Sequence, residues 1–225
     1  MAKYFNNFPK IAYSFDDYKI SAKIVTNILK RFSFEETLKE NSSAFFYYNI
    51  KDGDTPEGIA HKYYGSADRH WIVLLFNDII EPQYQWPLQY DSFNRYVDAK
   101  YLSSANSSIS GDGIYWSKSN IHSYYRIEIT KLVSTGNTII DTQSFEIDQN
   151  TYDDLNEDDQ EIPTYVNQPV TLADGTEIVL HTDKGTKTYY EYENEVNESK
   201  RKLKLLKKEF VSKLELEFNR IFVDA

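Results

Sequence analysis

Residues 47–65 read YYNIKDGDTPEGIAHKYYG. An aromatic run closes at Ile50, an acidic turn follows at Gly53-Asp54-Thr55, and after Pro56 the residues Ile59, Ala60 and Tyr63 recur at helical spacing. Gly53 permits the positive φ of a tight turn. An oxygen of Asp54 or Thr55 can accept from an orphan N–H at the helix start, and Pro56 takes the first helical position, where a missing N–H costs nothing. Gly65 suits the residue just past the helix end. Ser66 can cap a second helix that carries Trp71, Leu74 and Leu75 and stops near Asn77, ahead of Pro82. Upstream, residues 44–50 (AFFYYNI) are short, aromatic-rich and bounded by turn residues, which reads as a strand. The order is strand, turn, helix, turn, helix.

Toward the N-terminus, Ile20, Ile24, Val25, Ile28, Leu29 and Phe32 recur at steps of three and four, which predicts an amphipathic helix over 20–32. Ser33 followed by Glu36 offers a capping box for a further turn or two around Leu38, so residues 1–43 read as a helical arm. Beyond Pro82, the segment Tyr84-Gln85-Trp86-Pro87-Leu88 is too Pro-broken for a long strand and leads into a helical pattern through Tyr90, Phe93, Tyr96 and Val97. Residues 44–100 therefore form the module and its following helix.

Residues 101–187 change character. Ser, Asn, Thr and Gly separate β-type runs at 124–132, 138–147, 170–172 and 177–181, and Asp174-Gly175 is a hairpin signal between the last two. The acidic run 153–161 reads as a loop. In 188–225, Val196, Leu203, Leu206, Phe210, Leu214, Phe218 and Ile221 mark one face of a single helix over 189–222, roughly 50 Å long at the standard rise. Such a narrow seam lies against another helix, of its own chain or of a partner. The basic stretch from Lys200 to Lys208 then reads as the solvated back of that helix. The predicted class is α+β: a small βααβ module flanked by an N-terminal helix, a β-rich middle insertion and a long C-terminal amphipathic helix.

Composition narrows the chemistry. The 225 residues carry a net charge of -10 with a pI near 4.9, which argues against wholesale binding of nucleic acid. There are 19 Tyr against one Met, and rings with a polar tip suit wet interfaces as well as cores. No cysteine is present, so disulfides, thiolate zinc sites, iron–sulfur clusters and cysteine nucleophiles drop out. Lys3, Lys10, Asp16, Asp17, Lys19 and Lys23 interrupt any apolar signal segment, and no apolar run reaches the ~18 residues of a membrane span. The expectation is a soluble protein, kept where it is made or packed into something larger.

His61, His70, His122 and His181 show no metal-ligand spacing. Asp154, Asn156 and Asp158 imitate the start of a calcium loop, but Asp159 stands where Gly is required and Tyr165 where the bidentate Glu belongs. No nucleophile elbow, phosphate-cradling loop or dinucleotide fingerprint occurs. A carboxylate pair for sugar hydrolysis rests on nothing beyond the abundance of 35 acidic residues. Catalytic residues, metals and cofactors are all expected to be absent.

Tyr48-Asn49-Ile50, Gly53-Asp54-Thr55, Ile59-Ala60, Tyr64-Gly65, Trp71, Leu74 and Asn77, in this order, resemble the LysM module, a small βααβ unit. The resemblance implies a sugar groove between the Gly53, Asp54, Thr55 turn and the loop holding Asn77, Asp78 and Ile79. A sugar-binding LysM returns with a Gly-x-x-Leu-x-Ile-Pro strand, and residues 81–88 do not supply it, which counts against glycan binding.

A wider resemblance covers residues 24–32, 47–65, 71–78, 84–86 and 189–221. Their order is similar to that of the baseplate wedge protein of contractile-tailed bacteriophages. It implies a structural protein of the virion tail baseplate, made in the host cytoplasm, in which the LysM-like unit binds protein and neighbouring wedges are joined around the hub. The implied partners are other wedge and hub-proximal proteins, with neither nucleic acid nor membrane, and Leu203, Leu206, Phe210, Leu214, Phe218 and Ile221 form the partner-helix seam. Two other classes stay open: a peptidoglycan- or chitin-binding LysM protein, and a LysM-bearing lytic enzyme whose catalytic part would occupy 103–187.

Overall fold

The computed structural model of the chain describes residues 4–14, 22–30, 33–133, 138–155 and 169–223. In chain order they form β1 (Lys10–Ser14), β2 (Ala22–Thr26), α1 (Glu36–Glu40), β3 (Phe45–Asn49), α2 (Pro56–Tyr64), α3 (His70–Phe76), α4 (Pro82–Gln85), α5 (Tyr90–Tyr101) and α6 (Asp112–Ser119). There follow β4 (Ile121–Leu132), β5 (Thr138–Ile147), α7 (Gln149–Asp154), β6 (Val170–Thr171), β7 (Glu177–Thr188), α8 (Tyr189–Ser199), β8 (Lys202–Leu206) and α9 (Lys208–Val223). The class is α+β. The chain divides into two compact units, one of Met1–Tyr90 with Asn197–Ala225 and the other of Asp91–Val196.

The first unit is organised by the local signals around the opening stretch. The Thr55 hydroxyl accepts from Gly58 N at 3.1 Å and caps α2, with Pro56 in its first turn. Gly65 closes α2 with φ 75°, its N–H reaching His61 O at 3.0 Å. Ser66 caps a 3-10 turn, Ala67–Arg69, that leads into α3. The strand opposite β3 does not come from residues 81–88, where Pro82–Gln85 is a helical turn. It is β8, from the far end of the chain, paired antiparallel so that Phe45 faces Leu206 and Asn49 faces Lys202. Ile50 N to Arg201 O and Lys207 N to Ala44 O, both 2.9 Å, extend the ladder at its two ends. Ile59, Ile72, Phe76, Leu203, Leu205 and Leu206 are buried together in the core beneath it.

That pairing corrects the single C-terminal helix. The chain leaves α8 at Ser199, runs as a strand through Leu203 and Leu206, and resumes as α9 at Lys208. Leu203 and Leu205 alternate with Lys202 and Lys204, a period-two pattern, and Leu206 is buried as well, so the strand hides apolar area on both sides. The basic stretch accordingly runs through a strand and its flanks, and is not the back of a helix.

The N-terminal helix is also corrected. Residues 22–26 are a strand, β2, paired antiparallel with β1 from Lys10↔Thr26 to Ser14↔Ala22, while Ile20 and Phe32 lie outside the described residues. Ile24, Val25 and Thr26 are β-branched and favour the pleated form. Asn27 ends the strand by accepting Leu29 N at 3.1 Å, a side-chain turn that competes with helix. Of the capping box, a turn of helix exists at Glu36–Glu40, but its N-cap is Glu35, with no side-chain cap bond, rather than Ser33.

In the second unit β4 is central to a sheet of order β5-β4-β7-β6. The Asp174-Gly175 hairpin joins β6 to β7, with Gly175 at φ 84°. β7 runs on to Thr188, seven residues beyond the predicted 177–181 run, because it follows β4 down to Ile121. The helix α6 lies within the span that reads as β-rich in the sequence. Its N-terminus is held by the Asp98 carboxylate of α5, which accepts from the backbone N–H of Gly111, Gly113 and Ile114. Where a loop was expected at the start of the acidic run, Gln149–Asp154 is helical, capped by Asp148; residues 156–161 lie outside the described residues. The buried Glu193 of α8 accepts from Lys100 Nζ at 2.6 Å and Tyr101 Oη at 2.7 Å, which joins α8 to α5.

Candidate functional site

The expected groove residues all lie in the first unit, and the side-chain polar atoms of Asp54, Thr55, Asn77 and Asp78 are engaged within the chain. Gly53 adopts φ 91° at the turn after β3. The Asp54 carboxylate turns inward, accepting from Tyr48 Oη at 2.6 Å and Lys51 N at 2.9 Å. Burial pushes this carboxyl up, but those bonds and the charges of Lys62 and Lys51 outweigh it and hold it below the usual carboxylate range. Burial and the same bond push the Tyr48 phenol up to about 12. Thr55 is spent on the α2 cap.

On the other side, Asn77 ends α3 and grips β8. Its Nδ2 donates to Val73 O at 2.8 Å and Lys204 O at 2.9 Å, and its Oδ1 accepts from Lys204 N at 2.7 Å. The side-chain amide thus takes the place of a neighbouring strand's peptide group. Asp78, at φ 55°, accepts from the buried ammonium of Lys39 at 2.5 Å, and Lys39 also meets Glu36 at 3.0 Å. Burial alone would lower the Lys39 pKa; the bonds and charges of the two carboxylates raise it above the ordinary value. Ile79 is buried in the core.

The two loops are linked by the segment that follows them. Gln85 Oε1 accepts from Ile80 N and Glu81 N at 2.7 and 2.8 Å, which folds α4 back on the second loop. Trp86 then reaches across, its indole N–H donating to Asp54 O at 3.1 Å. In the sequence Trp86 is no more than a marker; its role depends on a contact with a residue 32 positions away. Tyr47 on β3, Ile80 in the second loop and Tyr84 on α4 are exposed.

The seam residues divide. Leu203 and Leu206 sit in β8, within the core. Phe218 of α9 is buried too, stacked on Trp71 at 4.8 Å and Tyr4 at 5.3 Å, so that part of the seam packs on its own chain. Glu215 anchors the same helix through two bonds from Arg69, at 2.7 and 3.0 Å. Phe210 and Leu214 are half-buried and line a groove of about 660 Å³ with Phe34, Leu38 and Leu206; Glu35, Lys213 and Glu217 add charge to it. The Ile221 side chain lies outside the described residues.

Among the described residues no group of three or more His, Asp or Glu could hold a metal ion, and no helix is long and apolar enough to cross a membrane. Comparison with protein families gives a match over residues 3–221 to the family described as base plate wedge protein 53. No curated protein matched the chain.

Proposed function

The chain belongs to the base plate wedge protein 53 family, structural components of the phage tail baseplate, and from that membership we propose that it joins neighbouring wedge subunits around the hub. In this reading the unit built from β3, α2, α3 and β8 is a LysM-like module that binds protein in place of sugar. One observation carries it: the side-chain polar atoms of Asp54, Thr55 and Asn77, which a sugar would have to meet, are already bonded within the chain. A ligand there would have to replace bonds worth about 1 kcal/mol each before gaining anything. Tyr47, Ile80 and Tyr84 give the same unit exposed apolar and aromatic side chains, the chemistry enriched at protein interfaces.

The test is to mix the purified chain with the other wedge subunits and follow it by size-exclusion chromatography. The chain is expected to leave its own elution position and travel with a larger assembly. If it elutes unchanged with every other wedge component present, the joining role is wrong.

A further inference from the structure

A strand that ends a sheet leaves one row of backbone N–H and C=O groups without a partner strand, and proteins commonly blunt such edges with Lys, Pro or a covering segment. Among the described residues, β5 and β2 each have such an edge. β5 stands at one side of its sheet and is exposed on both faces over residues 138–146, with no Lys, Arg or Pro in it. Its first half is irregular: the ladder with β4 shifts between Thr130 and Lys131, and the Asp141 carboxylate covers Thr142 N at 2.9 Å. Its second half pairs regularly, from Gln143↔Glu128 to Ile147↔Tyr124. The other strand is β2, whose two-stranded sheet with β1 leaves its far side open among the described residues, with Ile24 79% exposed. A lone hairpin of this kind is marginally stable by itself.

We propose that β2 of one copy of this chain adds antiparallel to the 143–147 stretch of β5 on a second copy, joining successive copies head to tail. The strands are complementary in charge: the hairpin strands contain Lys10 and Lys23 and no acid, whereas β5 contains Asp141 and Glu146 and no base. Setting Lys23 opposite Glu146 places Ile24 opposite Phe145, Val25 opposite Ser144 and Thr26 opposite Gln143. An ion pair and a β-branched–aromatic pair then stand directly across the new ladder, with no like charges facing each other. The Phe145 ring is already backed by the Arg126 guanidinium, 5.4 Å from its centroid. Pairing β5 with β5, or β2 with β2, would instead bring strands of the same charge together.

Each copy offers one strand of each kind, so the contact repeats, and it closes into a ring where the rotation allows. The ring rests on the baseplate reading; the pairing does not. A single short strand pair buries little area and binds weakly between free copies, but it gains strength where an assembly holds the chains side by side.

Because the chain has no cysteine, the contact can be trapped. Ile24→Cys and Phe145→Cys chains are purified separately, mixed at about 1 mM to offset the small interface and oxidised. Directly opposed Cβ atoms, about 4.5–5.5 Å apart, come within reach of a disulfide. The mixture is expected to give a dimer of one chain of each kind, at least about fivefold above either chain alone or Ile24→Cys mixed with Thr138→Cys. Adding Lys23→Glu to the Ile24→Cys chain should reduce the yield about tenfold, and Glu146→Lys on the other chain should restore it, which separates lost pairing from lost folding. Dimers of like chains in equal yield, no dimer above background, or failure of the charge reversal to rescue would each overturn the proposal. Both arms use this chain alone, so a negative result is distinguishable from failure to join the other wedge subunits.

Discussion

Removing the Asn77 amide should loosen β8 from α3. The side chain makes three hydrogen bonds, to Val73 O, Lys204 O and Lys204 N, between 2.7 and 2.9 Å. At about 1 kcal/mol net for each neutral bond, the sum is about 3 kcal/mol; Asn77 is half-buried, so water can rehydrate part of what is left, and about 2 kcal/mol is expected for Asn77→Ala. Asn77→Asp keeps the acceptor for Lys204 N but turns a negative oxygen toward two carbonyls, so at pH 7 it should cost at least as much. Urea unfolding followed by tryptophan fluorescence is the assay, since Trp71 and Trp86 both belong to this unit. A loss of about 2 kcal/mol moves the midpoint by about 1 M at a slope near 2 kcal/mol/M. If both variants unfold within about 0.5 kcal/mol of the parent, the amide does not hold the strand and the reasoning about this unit fails.

Phe218→Ala removes a buried ring stacked against both Trp71 and Tyr4, and should cost about 3–5 kcal/mol and release α9, read as faster amide exchange there. A methyl group at Gly113 would stand 2.2 Å from Asp98 O, so Gly113→Ala must push α6 off α5; a loss of about 1–3 kcal/mol is expected in calorimetry, and an unchanged melting curve would refute the close approach. The lowered pKa values of Asp54 and Glu193 contribute stability that is present above about pH 4 and lost as pH falls through the folded-state values, so Asp54→Asn should flatten the acid limb of a pH–stability curve. Tyr48, pushed up to about 12, favours the folded state below its free value near 10 and loses that contribution between about pH 10 and 12, a limb that Tyr48→Phe should remove.

The parts of the fold legible in the sequence are those whose causes lie within a few residues. Thr55, Pro56 and Gly65 act on backbone groups next to them, and each does in the structure what its position implied; Ser66 caps the 3-10 turn ahead of α3 and not α3 itself. The strand at residues 45–49 and the Asp174-Gly175 hairpin were legible for the same reason. The misread segments are those where one spacing fits two periods. Leu203, Leu206 and Phe210 stand at helical steps, but Leu203 and Leu205 also alternate, and the tie was broken by β3, more than 150 residues away in the chain. Ile24, Val25 and Ile28 fit a helix equally well until β1 pairs with the first two. In the candidate site, the turn residues and the closing Asn could be named. That Asn77 grips Lys204 and Trp86 meets Asp54 could not, because both depend on contacts the local pattern does not encode.

Whether this chain holds wedges together is read out by electron microscopy of particles made by a phage lacking it. Separate wedges accumulating without closed baseplates is the result expected. Closed baseplates in normal number, with wedges joined in its absence, would contradict it.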